Sequence, residues 1–202
     1  MFERLRRTRL GGELSDSELH REALRGNGEA MAMLYRRHGG LVYRFTLRMS
    51  RNDAVAEEIT QEVFLALLTQ IDRFDAARGA LSTWLCGIAR RQVWKYLERR
   101  GVAEQADFDE EGAAEVICPN DGPADLLLRR EVVDAVRAGL ERLPLVLREA
   151  LILCALEEMS YEEAAQVLDV PVGTVRSRLH RAKAQLATLL RAEMTSTVRR
   201  RG

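Results

Sequence analysis

Between Gly101 and Leu128 the chain holds eight acidic residues and no basic one, although its 202 residues carry 31 bases and 31 acids in all. The stretch "GVAEQADFDEEGAAEVICPNDGPADLLL" also contains three glycines and two prolines, and its apolar residues show little period until the last few. A segment of that composition buries too little apolar surface to order itself, so it divides the chain. Residues 1–100 contain 18 bases and 13 acids, and residues 129–202 contain 13 bases and ten acids, so bodies at +5 and +3 flank a strap at −8. On composition the strap is a charge-extended tether.

On both sides of the strap, apolar residues recur every three or four positions, the period of an amphipathic helix. Ser15 and Glu18 form a capping-box pattern ahead of "LHREALRGN", which Gly26 and Gly28 close. "EAMAMLYRRHGGLVYRFTLRMSRN" and "DAVAEEITQEVFLALLTQI" follow, then Gly79 interrupts, and "STWLCGIARRQVWKYLERR" reads as a long helix with Ser82 or Thr83 as N-cap. Beyond the strap come "RREVVDAVRAGLERL", "PLVLREALILCALEEM", "SYEEAAQVLDV" and "VPVGTVRSRLHRAKAQL". No strand-like alternation competes. The expected fold is all-α: two small helical domains, 15–100 and 129–192, joined by a flexible acidic linker over 101–128. A basic extension (1–14) and a basic tail (193–202) complete the chain.

Composition narrows the function. The longest apolar run, Ala150 to Leu156, is seven residues, against the roughly 18 of a membrane span. The arginine-rich start "MFERLRRTRL" lacks the apolar core of a secretory signal, so a cytoplasmic protein is expected. Cys86, Cys118 and Cys154 are isolated, with no CxxC pair and no histidine at metal spacing, which argues for reduced thiols and against zinc. Cys118 beside Pro119 is a candidate redox sensor only by its place in the strap. His20, His38 and His180 fall on separate helices, and no glycine-rich phosphate loop or acid pair suggests catalysis, so neither an enzyme nor a cofactor is expected.

The most specific local pattern lies near the end. Ser160 and Glu163 make a second capping box, a short helix ends near Leu168, and Asp169, Val170 and Pro171 turn into another helix. This is the helix-turn-helix pattern. At about 100° per residue, Val175, Leu179, Ala182, Leu186 and Leu189 share one stripe, with Arg176, Ser177, His180 and Arg181 opposite. Arg178 and Lys183 flank the stripe. No acid occurs between Val170 and Ala192, and the outward side chains suit base edges and phosphates in a major groove, with Arg178 and Lys183 better placed for the DNA backbone.

The first domain repeats the theme more weakly. Its last helix carries Arg90, Arg91, Lys95, Arg99 and Arg100 against Glu98, with Trp84, Trp94 and Tyr96 interleaved. Bases among aromatics suit a strand whose bases have left the stack. Trp84, beside Leu85 and Ile88, reads as core, whereas Trp94 lies between cations. In "AEEITQEVF" the edge Glu58, Gln61 and Glu62 is either a solvated face or a docking face, and periodicity does not choose.

From about Asp16 to Leu190 the chain resembles the extracytoplasmic-function (ECF, group IV) sigma factors, promoter-recognition subunits of bacterial RNA polymerase. The resemblance rests on "DAVAEEITQEVFLALL", "FDAARGALSTWLCGIAR" and "SYEEAAQVLDVPVGTVRSRLHRAKAQL", in the family's order and at its spacing. It implies a region-2 domain that binds the clamp of the core polymerase through Glu58, Gln61 and Glu62. The same domain reads the −10 element with the loop Asp75–Ser82, which holds a flipped base and includes Arg78, and with Arg91 and Lys95 on the next helix. Unstacking that base costs a few kcal/mol, which a pocket in cationic surroundings offsets. It implies a region-4 domain that reads the −35 element through Thr174, Arg176, Ser177, His180 and Arg181, with Arg178 and Lys183 beside them. The acidic linker would thread the polymerase's positively charged active-site and RNA-exit path. An anti-sigma factor is a further implied partner. Arg91 and Lys95 depart from the Asn and Asp frequent in the family, which points to an unusual −10 preference. The rival reading, a free-standing helix-turn-helix regulator, accounts for the second domain but not the first.

Overall fold

A computed structural model describes residues 14–69, 74–75, 79–101 and 126–201, with the side chains of 126–132, 134 and 192–201 outside the description. The strap between 102 and 125, its Cys118, the N-terminal residues 1–13, and Arg78 lie outside the described residues. Every regular element among the described residues is helical.

The first domain packs α1 (Asp16–Leu24), α2 (Gly28–Ser50), α3 (Asp53–Thr69) and α4 (Leu81–Arg99). Ser15 opens α1 with the reciprocal capping box: its hydroxyl accepts from the Glu18 amide at 3.3 Å, and the Ser15 amide donates to the Glu18 carboxylate at 2.8 Å. Those bonds hold the Glu18 carboxyl below its ordinary pKa. Asn27 caps α2 by accepting from Glu29 and Ala30 amides. Asp16 then ties α1 to α2 through Arg37 at 2.9 Å and His38 at 2.7 Å. Leu19, Leu34, Phe45, Met49, Val63, Leu67, Leu85 and Val93 fill the bundle. The cap of α4 differs from the expectation. Ala80 is its N-cap and makes no side-chain bond, while Ser82 and Thr83 lie in the first turn, because Leu81 is drawn into the core one residue earlier.

The second domain comprises α5 (Leu126–Arg142), α6 (Leu145–Leu151), a π-helical turn (Ile152–Leu156), α7 (Tyr161–Leu168) and α8 (Val172–Arg201). Pro144 separates α5 from α6 at the latter's N-cap. The buried Arg148 guanidinium closes α5 from below, donating to the carbonyls of Glu141 and Leu143. α5 and α8 cross at Gly139, where a Cβ would stand 2.5 Å from Leu186 Cδ1, so a larger residue there would have to turn the Leu186 side chain aside. Helix α8 continues through Arg201, so the basic tail expected from residue 193 is helical as far as that residue.

The two domains do not keep separate interiors. α4 and α7 pack together, and one buried cluster runs from Leu81, Leu85 and Ile88 to Ala164, Ala165, Leu168 and Val175. A smaller cluster of Leu140, Leu143, Leu147, Leu151, Leu179 and Ala182 belongs to the second domain alone.

Candidate nucleic-acid interface

The helix-turn-helix forms as its residues dictate. Ser160 caps α7 by accepting from the Glu163 amide at 3.2 Å, and the Ser160 amide donates to the Glu163 carboxylate at 2.9 Å. Asp169 ends the helix in the left-handed region at φ 54°, a conformation short polar side chains tolerate. Pro171, whose carbonyl accepts from Thr174 and Val175, then starts α8.

The helical phase of α8 matches its sequence reading. Val175, Leu179 and Ala182 are buried, and Leu186 and Leu189 pack partly against the same interior. Arg176, Ser177, His180 and Lys183 are exposed; Thr174, Arg178 and Arg181 are half-buried. Ser177 donates its hydroxyl to the Thr174 carbonyl at 3.0 Å. The Arg176 guanidinium lies over the Tyr161 ring, 5.4 Å from its centroid. Arg178 turns instead toward Glu149, at 3.7 Å.

In the first domain Arg91 and Lys95 are exposed on α4, Asp75 is exposed, and Ser82 is half-buried in the first turn. Phe74, just ahead of Asp75, packs between His20 and Trp84, with ring centroids 5.6 and 5.8 Å away. Trp84 thus belongs to the interior, as its neighbours suggest. Trp94 has a different role from the stacking platform its cationic neighbours suggest: it is half-buried, and its indole N–H donates to Glu149 of the second domain at 2.7 Å. Arg90 joins it, giving Nε to one Glu149 oxygen at 2.8 Å and Nη2 to the other at 3.1 Å.

Glu58, Gln61 and Glu62 stand exposed together on α3, on an element separate from the nucleic-acid candidates. The sequence reading missed their neighbour Leu65, which is 59% exposed and continues the same stripe. An apolar residue three positions beyond Glu62 and four beyond Gln61 was the available signal. It also missed Glu149. That signal was a lone acid inside "LVLREALILCAL", where the helical apolar face has no room for an unpaired charge.

Comparison with known proteins places the chain in a family. The Sigma-70 region 2 pattern matches residues 34–102, and the Sigma-70, region 4 pattern matches residues 134–186. The chain is 32% identical to the ECF RNA polymerase sigma factor SigE of Mycolicibacterium smegmatis, over 92% of this chain and 73% of that one. It is also 32% identical to the ECF RNA polymerase sigma-E factor of Escherichia coli, over 85% of this chain and 92% of that one. Among solved structures, CnrH in complex with the cytosolic domain of CnrY superposes with a TM-score of 0.65 at 27% identity, covering 88% of this chain and 97% of that one. RpoE of Bartonella quintana, bound to the anti-sigma factor NepR, gives 0.59 at 25%, covering 79% and 96%. With two family patterns in the expected order and relatives matched over most of both chains, this protein belongs to the ECF sigma factors of the sigma-70 superfamily.

Proposed function

We propose that the chain binds bacterial core RNA polymerase and directs promoter-specific initiation, with residues 15–100 reading the −10 element and residues 129–192 the −35 element. The observation that carries this is the phase of α8: a buried stripe at Val175, Leu179 and Ala182 leaves Arg176, Ser177 and His180 on the outer surface of a helix-turn-helix. There Arg176 is the candidate for a bidentate bond to guanine O6 and N7, with Thr174, Ser177, His180 and Arg181 beside it and Lys183 on the backbone. Asp75, Arg78, Ser82, Arg91 and Lys95 are the proposed −10 set, and Glu58, Gln61, Glu62 and Leu65 the proposed polymerase face. The protein acts by binding, in the cytoplasm, with no chemical step of its own. A complex of the relative RpoE with the anti-sigma factor NepR supports expecting an anti-sigma partner here.

The test is transcription with defined components. The purified chain should bind promoter DNA poorly by itself and direct initiation when added to bacterial core polymerase. Tight operator binding without core, and no stimulated transcript, would instead establish a free-standing regulator.

A further inference from the structure

Two carboxylates of the second domain are sealed against arginines of the first. The side chain of Glu149, on α6, is 0% exposed and is gripped by the Arg90 fork and the Trp94 indole, with Arg178 of the recognition helix 3.7 Å away. The side chain of Glu157, just past the π-helical turn, is 1% exposed and sits between Arg44, whose Nη2 reaches it at 2.6 Å, and Arg48. A third pair joins Arg51 to Glu141. In each of these ion pairs between domains the base comes from the first domain and the acid from the second. Close by, Gln166 of α7 abuts Gly79, whose Cβ would stand 2.8 Å from Gln166 Oε1.

This arrangement occupies elements that promoter reading needs. Arg90 and Trp94 lie on α4 beside Arg91 and Lys95, and Gly79 belongs to the proposed −10 loop. Glu149 offers Arg90 what a DNA phosphate offers, two anionic oxygens in bidentate geometry. Energetically the contact is suited to opening. Removing one partner of a buried pair leaves a stranded charge and is costly, but separating the whole interface returns each charge to water, which recovers much of the solvation lost on closure.

We propose that Glu149 and Glu157 form a built-in latch that closes the free protein on itself, with Glu149 occupying Arg90 in place of DNA phosphate until polymerase and promoter pull the domains apart. The inference rests on the sigma reading for the identity of the competitor. Closure itself is a property of the chain alone.

The experiment measures the distance between fluorophores placed one on each domain, in the full chain without polymerase or DNA. Glu149→Gln keeps the shape and most acceptors but removes the charge. Charged hydrogen bonds exceed neutral ones by about 1 kcal/mol or more, so the ratio of open to closed molecules should rise roughly fivefold or more. Arg90→Gln should open the chain similarly, and the double variant should open it less than the two effects combined. If Glu149→Gln lowers helix content, Arg44→Gln with Arg48→Gln at the Glu157 clamp reads the same closure. The chain should also bind non-specific duplex DNA more tightly once Glu149 is neutral. A wild-type chain already open at physiological salt, or interdomain distances unmoved by all these substitutions, would overturn the latch. Neither result touches core-dependent transcription by the wild type, so a failed latch and a failed sigma reading are told apart.

Discussion

The guanidinium carbon of Arg176 stands 5.4 Å above the ring centroid of Tyr161, across the turn that joins the two helices of the reading motif. Tyr161 is 38% exposed, so the guanidinium lies over a ring face at the protein surface. Held there, Arg176 keeps fewer rotamers to lose when it meets a base. Arg176→Ala should cost about 1–3 kcal/mol at one −35 position and little elsewhere. Tyr161→Phe should preserve that discrimination and Tyr161→Leu should weaken it by roughly 0.5–1 kcal/mol. Competition binding of reconstituted holoenzyme to −35 variants separates the two; equal loss on every sequence would make Arg176 a phosphate contact.

The stripe Glu58, Gln61, Glu62 and Leu65 contributes little to the bundle's interior, because all four side chains face outward. Substituting Leu65 with Asp should therefore change thermal stability by no more than about 0.5 kcal/mol. Its effect on core polymerase should be much larger, a loss of about 2 kcal/mol or roughly thirtyfold in affinity if Leu65 anchors the contact. Titration of labelled protein with core polymerase, beside a thermal melt, measures both. A binding loss matched by an equal stability loss would assign Leu65 to the fold alone.

What was legible in the sequence is what local chemistry decides. Ser15 with Glu18 and Ser160 with Glu163 announce helix starts because each side chain satisfies an amide within the same turn. The buried stripe of α8 is likewise legible, since Val175, Leu179 and Ala182 recur at helical spacing. The contact between domains is not, because it depends on partners far apart in the chain. Arg90 and Trp94 read as nucleic-acid candidates when only their neighbours on α4 are in view; Glu149 lies 59 and 55 positions away. Two helical domains of like net charge gave no hint that acids of one would meet arginines of the other.

The cap at Ser160 offers a direct check on how the motif is held. Replacing it with Ala removes the hydroxyl that accepts from the Glu163 amide and donates to the Glu163 carboxylate, and leaves only the backbone amide of residue 160 on that carboxylate. Unfolding stability should fall by about 1 kcal/mol, read by denaturant titration, with an unchanged slope. Ser160→Asp should recover most of the loss, since a carboxylate accepts the same amide and complements the helix N-terminus. No loss in the Ala variant would mean that packing of α7 on α4, rather than the cap, fixes the turn.

Cys86 supplies a prediction in pH. It is buried in α4, and burial pushes its thiol up to about 12 from an ordinary value of 9.0. The folded state therefore holds this proton more tightly than the unfolded one. Its contribution to stability is fully present below pH 9 and is lost as pH rises toward 12, with a slope approaching about 1.4 kcal/mol per pH unit inside that window. Comparing the wild type with Cys86→Ala by denaturant titration from pH 8 to 11 isolates this term, since the alanine variant lacks the titrating group. The stability gap between the two should shift steadily against the wild type above pH 9. In native protein at pH 8, with Cys118 and Cys154 replaced by Ser, iodoacetamide should label Cys86 only after denaturant is added. Rapid labelling of the folded chain would show that α4 is not packed as described.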